Sequence, residues 1–462
     1  MTRAIAPGSL EDILERSGGI PSSTGFPGVD ELRSAFELLA ERHPDLVASR
    51  RIGTSRLGEA IPMFSIGSGS RSYLLFAGVH PNEPIGFRTL EHLATTLCED
   101  AGLRDSFDAT WHIIPCIDPD GTRLNEQWYA APGDRSFYAR HFYRPAPDEQ
   151  VEWTFPFAYR DVWFDRVLPE TQALMRVIDD VRPDFMVSLH NAELGGVYFY
   201  LSEDVPGAVD ALHAVPARLG LPLDTGEPET PTVRPLGTAV YSMISMREEY
   251  DFLEGLGVDP APLMTSGESS SSYAARHGTV SLVAELPYWS HPDADDDTPA
   301  GIPYADVLHR KADAFIETEA ALRRIVEAAD LTLDTPFRRA TEAFAPHLAV
   351  MGDNEHRRAG REDASRVATR AEAFSNEDVV RCFRLRYGGM TLRMLDAEIA
   401  AGSATAGTRR ARDAMAALFD EWCAESEAVE GLTALPIASL VGVQFGATLA
   451  VARSLIDAER DR

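Results

Sequence analysis

The sequence predicts an α/β fold, a mixed and largely parallel sheet flanked by helices, followed by an α-helical C-terminal domain. Short apolar runs rich in β-branched and aromatic residues recur at 61–67, 72–79, 111–117, 184–190, 197–202 and 279–286, the composition of buried strands. Helical patterns lie between several of them, notably at 86–100 and 168–184, and this alternation folds into a parallel sheet with helices on both faces. From residue 331 onward helical patterns continue with almost no strand signal.

Residues 1–27 form a lead-in to the main domain, expected over 28–330. Its first helix covers 28–43, where Val29, Leu32, Phe36 and Leu39 recur at helical spacing after a Pro-Gly stop. Pro183 ends the helix of 168–184. The stretch 118–165 lacks periodicity but is rich in aromatic residues and arginine, which marks an ordered functional loop region. Helical spacing returns over 303–330 and fills the second domain, 331–462, where Ser375 with Asp378 three residues on marks a helix start.

The 462 residues are 44% hydrophobic and 25% charged, enough for a large core. Formal net charge is −29 and Lys311 is the single lysine, which argues against nucleic acid and anionic membrane as partners. Neither a basic start with an apolar core nor an uninterrupted apolar stretch of roughly 18 residues is present, so secretion and membrane insertion are unsupported. Cys98, Cys116, Cys382 and Cys423 lie far apart, as buried thiols in a reducing cytoplasm would. A cytoplasmic protein is expected.

Chemistry gathers at the ends of the apolar runs. In GVHPNEPIG, His80 and Glu83 sit where a strand gives way to a helix, the edge of an open α/β sheet where ligands bind. His190 ends DFMVSLH in the same way. Two imidazoles and one carboxylate suit zinc and leave a fourth position for water, as a catalytic site requires. Glu285, at the end of TVSLVAEL, stands where alternation calls for an apolar residue, and an unpaired buried carboxylate is costly.

These segments resemble the zinc metallocarboxypeptidases. HPNE at 80–83 is similar to the family's first two ligands and SLHN at 188–191 to its third-ligand strand. DPDGTRLN at 118–125 resembles the Asn-Pro-Asp-Gly segment followed by Arg-x-Asn, AELPYW at 284–289 the strand bearing the catalytic glutamate, and RRIGTSRLGEAIPMFSIG at 50–67 the early strand pair. The resemblance covers roughly 28–330 and implies one zinc per chain held by His80, Glu83 and His190, with Glu285 as general base and Arg123 steadying the oxyanion. Asn125 is carried over as substrate-binding.

Two departures concern the substrate. The family's Asp-Leu-Asn-Arg-Asn-Phe segment, which grips a terminal carboxylate, has no clear counterpart; instead DRSFYARHFYRP offers Arg135, Arg140 or Arg144. Arg144 is favoured because Tyr143 and Pro145 would hold it rigidly. The family's mobile tyrosine is not evident near Leu263, and Tyr273 is the candidate by proximity in sequence. The expected activity is zinc-dependent cleavage of an amide next to a C-terminal amino acid, on a peptide or small amide with a free carboxylate. The alternatives are a deacylase of small N-acyl amino acids and a non-catalytic peptide-binding module. The helical domain is expected to serve as a lid or as the interface of a homo-oligomer.

Overall fold

The computed structural model describes residues 5–460. Its centre is a nine-stranded sheet. In chain order the strands are β1 (Val47–Thr54), β2 (Ala60–Ile66), β3 (Arg71–Ala77), β4 (Ala109–Ile114), β5 (Phe185–Leu189), β6 (Tyr198–Leu201), β7 (Pro235–Gly237), β8 (Val240–Ser242) and β9 (Val280–Glu285). They lie in the order β1-β2-β4-β3-β5-β9-β6-β8-β7. The central four, β4-β3-β5-β9, are parallel. Antiparallel pairing begins on either side, between β2 and β4 and between β9 and β6. The mixed, largely parallel sheet expected from the sequence is therefore present at the centre, where the apolar runs are longest.

Alternation along the strands divides the core into two faces. Leu74 and Phe76 of β3 pack with Leu174, Val177 and Ile178 of the helix Pro169–Val181. Tyr73, Leu75 and Ala77 point the other way, into the main cluster. The helices that cover the sheet are α1 (Leu10–Ser17), α2 (Val29–Arg42), α3 (Ile85–Glu99), α4 (Pro169–Val181) and α5 (Ala208–Leu219). The stretch 118–165 is ordered, as three short helices, two 3₁₀ turns and a small hairpin.

After the sheet come α6 (Tyr304–Glu327), α7 (Pro336–Ala359), α8 (Arg370–Ala400), α9 (Ala406–Glu427) and α10 (Ile437–Arg460). These helices share the main cluster with the sheet: Leu348, Leu385, Met390, Phe419, Val443 and Phe445 belong to the same packed group as Leu75 and Val187. The change at 331 is one of secondary structure, with packing continuous across it. α10 is long and apolar enough to cross a membrane by length and composition, and 83% of its most apolar stretch is buried inside the protein. Two glycines let α10 approach closely, since a Cβ at Gly442 would lie 2.4 Å from the Ser17 carbonyl oxygen and one at Gly446 would lie 2.7 Å from Val215.

The start of α8 differs from expectation. Thr369 caps it, accepting from Glu372 N at 3.1 Å while Glu372 Oε2 accepts from Thr369 N at 2.9 Å. Ser375 lies inside the helix, where its hydroxyl accepts from Glu227 N. The segment LRYGGMTLRML is buried within the chain, with Gly388 against Phe419 and Trp422 and Gly389 against the backbone of Ala139.

Helix propensity and packing make opposite predictions at Gly389. Alanine there would gain about 1 kcal/mol from propensity alone. Its Cβ would, however, stand 2.0 Å from the Ala139 carbonyl oxygen, and overpacking against backbone costs about 2–3 kcal/mol. Gly389→Ala is expected to lower the denaturant midpoint; a raised midpoint would show that the α8 contact is loose.

Candidate metal centre

The parallel centre of the sheet brings three chain ends to one edge. His80 follows β3, and the turn from it closes with Glu83 N donating to His80 O at 3.0 Å before Pro84 opens α3. His190 directly follows β5, and Glu285 is the last residue of β9. Because β3, β5 and β9 are adjacent, the four side chains meet. The Nδ1 atoms of His80 and His190 each lie 3.2 Å from Glu83 Oε2, and His190 Nδ1 is 3.8 Å from Glu285 Oε1. All four residues are buried.

This donor set fits a divalent metal ion. One ligand atom from each of His80, Glu83 and His190 falls within 4.8 Å of the others. Two ring nitrogens converging on one carboxylate oxygen, with a second carboxylate alongside, are the donor types that zinc takes. The electrostatics reflect this crowding. Burial, with Arg144 adding to it, pushes His80 down to about 3. Burial also lowers His190, but its hydrogen bond to Glu83 and the charges of Glu83, Glu285 and Glu152 reverse that and raise it to about 9. Burial and the neighbouring Glu229 hold the Glu285 carboxyl well above the ordinary glutamate value.

A set of buried polar groups orients these side chains. Ser188 Oγ lies 2.8 Å from His190 Nε2 and donates to Glu152 Oε2 at 3.4 Å. That chain gives His190 Nε2 a proton and turns Nδ1 toward Glu83. Glu152 is itself held by Ser270, through both N–H and hydroxyl. Tyr129 donates to the Pro81 carbonyl at 2.6 Å, and the Tyr288 hydroxyl is 2.9 Å from the Asn82 carbonyl. From α10, Gln444 Nε2 donates to His190 O at 2.7 Å while its Oε1 accepts from Thr89 Oγ1 of α3.

The cluster opens into a cavity of about 350 Å³. Trp153 and Glu152 come from the long loop, Ser269 and Ser271 from the serine-rich segment, and Phe374, Asp378, Cys382 and Arg386 from α8, so the C-terminal helices form one wall. Arg144, favoured from the sequence, lines the cavity and its Nη1 is 2.8 Å from Glu83 Oε1.

Three expected residues are elsewhere. Arg123 does not line the cavity and is held by Asp30 and Glu59 at 2.8 and 2.7 Å. Asn125 is saturated by its surroundings, donating to Gly121 O and Tyr143 O and accepting from Tyr143 N and Trp128 Nε1. Tyr273 packs against Phe155 with its hydroxyl on Asp179, and it does not line the cavity. Arg135 is committed to Glu193 and Asp378, and Arg140 to Asp420. Glu152, Ser188, Tyr288 and Gln444 were not anticipated. Tyr288 had a signal, since it lies in AELPYW; a lone glutamine in an apolar helix had none.

Residues 32–220 match the family model described as zinc carboxypeptidase. No curated protein sequence matches the chain. Among solved structures, a protein described as a metallopeptidase from Shewanella amazonensis is 14% identical, with a TM-score of 0.40, over 56% of this chain and 84% of that one. A carboxypeptidase A from Helicoverpa armigera is 13% identical, with a TM-score of 0.39, over 76% and 80%. A metallo-carboxypeptidase from Burkholderia cenocepacia is 17% identical, with a TM-score of 0.35, over 60% and 62%. These structural likenesses are weak. The family match covers the segment that carries the three cluster residues.

Removing the amide that braces the third cluster residue is expected to loosen the site. Gln444→Leu should weaken zinc binding about tenfold, the usual cost of losing an outer hydrogen-bond partner, measured by competition with a chelator. Unaltered affinity would reduce Gln444 to a packing role.

Asp118, at the head of DPDGTRLN, is fully buried, and burial raises it to about 7 despite Arg56 and the Gly121 N–H. A raised carboxyl contributes stability that is complete below its ordinary value and is lost as pH rises through about 7. Asp118→Asn does not titrate, so its Tm relative to the parent should improve between pH 5 and pH 8; a constant difference would contradict the shift.

Proposed function

We propose that the cavity is the active site of a metallocarboxypeptidase-type amide hydrolase, in which His80, Glu83 and His190 hold one zinc ion and Glu285 is the general base. The observation that carries this reading is the convergence of the three ligand-type side chains with Glu285 at one sheet edge, Glu285 lying 3.8 Å from His190 and facing the same cavity. A bound zinc would supply Lewis acidity toward the scissile carbonyl and lower the pKa of water.

The chain's own groups account for the rest. Glu285 accepts a proton from water at a carboxylate oxygen and returns it to the leaving nitrogen. Its burial raises its proton affinity, which suits a group that must hold the proton between the two steps. Arg144 takes the role expected of Arg123. Among the described residues it is the one guanidinium that lines the cavity and touches Glu83, and it is placed to offset charge on a substrate oxygen or to pair with a carboxylate. Trp153 and the α8 wall limit access of bulk water.

A second reading is favoured by the cavity itself. Walls from α6 and α8 confine it to about 350 Å³, near the lower end for small-molecule pockets, which suits a small N-acyl amino acid or dipeptide better than a long chain. Parallel assays of C-terminal trimming on a peptide and hydrolysis of N-acyl amino acids separate the two.

Glu285→Gln is expected to retain zinc and to lose at least about a hundredfold in kcat. Metal analysis and turnover on the best amide check it, and full activity in that variant would remove Glu285 from the mechanism. A zinc-loaded protein that turns over no amide would favour the binding-module reading.

A further inference from the structure

Beyond Glu285 the sheet carries side chains that the proposed chemistry does not use. β6 runs antiparallel to β9, with Tyr198 opposite Glu285 and Tyr200 opposite Val283. β8 runs parallel to β6 with Tyr241 beside Tyr200. Since side chains alternate between faces, the register places Glu285, Val283, Tyr198, Tyr200 and Tyr241 on one face, and all five line the cavity. The Tyr198 and Tyr200 rings stand 5.8 Å apart at 83°, and Tyr200 and Tyr241 are 6.1 Å apart at 46°.

The charge on this face is unbalanced. Tyr200 donates to Glu229 Oε2 at 3.0 Å, and among the described residues neither Glu229 nor Glu285 has an arginine or lysine within ion-pair distance. The three cations lining the cavity are already matched, Arg144 with Glu83, Lys311 with Glu355 and Arg386 with Glu193. Tyr198 is 8% exposed, yet its hydroxyl has no hydrogen-bond partner among the described residues and faces the cavity.

We infer that Tyr198, Tyr200, Tyr241 and Glu229 form a box for an organic cation, an alkylammonium or guanidinium group of the substrate. Aromatic faces attract a desolvated cation, and the Glu229 carboxylate supplies the counter-charge. A carboxylate in the same place would meet Glu229 and Glu285 with no unpaired guanidinium. An apolar side chain would fit the rings but leave the Tyr198 hydroxyl without a partner. Because Tyr198 is the cross-strand neighbour of Glu285, the cation belongs to a residue flanking the amide that is cleaved. That last step rests on the hydrolase reading; the box itself does not.

Two measurements keep the two ideas apart. The first compares N-acyl dipeptides carrying lysine or norleucine on either side of the scissile amide. Lysine on one side should raise kcat/KM at least tenfold, and Glu229→Gln and Tyr241→Leu should each bring that ratio toward one. Equal rates, or a ratio that neither variant changes, overturn the box. The second titrates n-butylammonium and n-butanol into the zinc-loaded protein by calorimetry. The ammonium should bind at least tenfold more tightly and lose that advantage in Glu229→Gln, a change at an exposed position that leaves the core intact. Ammonium binding with no amide turnover sinks the hydrolase reading alone, whereas equal affinities sink the box.

Discussion

The site depends on one buried carboxylate. Glu83 gathers His80 Nδ1, His190 Nδ1, the Asn191 N–H and Arg144 Nη1 around two oxygen atoms. A charge taken out of water costs several kcal/mol unless it is met by donors and countercharge, so each group around it is needed. Only a parallel centre can deliver those groups. The C-terminal ends of β3, β5 and β9 must lie side by side for a turn, a strand end and a third strand end to reach one point.

His80, Glu83, His190 and Glu285 were legible in the sequence because ending an apolar run with a polar residue is a local property. The surroundings of Arg123, Asn125 and Tyr273 were not legible because the partner a side chain finds is not local. Arg123 had Asp30 and Glu59 within reach in space, though they are 93 and 64 residues away in the chain. Asn125 closes on the carbonyl and N–H of Tyr143, which no spacing advertises. Glu152 belongs to an irregular loop, and Gln444 is one polar residue in an apolar helix, so neither breaks a pattern that could have drawn notice.

The same limit applies to the helical half. Thr369 and Ser375 each offer a hydroxyl with an acid three residues later, and the local signature does not choose between them. What decides is distant, because the Ser375 hydroxyl is already taken by Glu227 N–H. Helix content after residue 331 was visible as strand-poor periodicity. Its packing was not, because α8 buries residues around much of its circumference, Tyr387, Gly388, Gly389, Met390 and Thr391 in succession, between several neighbours. A helix with no free face has no moment to reveal which partner it serves.

Gln444 gives the order of synthesis a chemical meaning. The His80 turn and the His190 strand leave the ribosome more than two hundred residues before the amide that holds the His190 carbonyl. Domains tend to fold from the N-terminal side as they emerge. Here the sheet can form first, with the His190 ring held by Ser188 and its carbonyl by Asn191 alone. The cluster gains its Gln444 brace when α10, an apolar helix with its own need for cover, docks between α3 and α5. Arrival of α10 thus completes the bracing of His190 only after the sheet that carries it has been made.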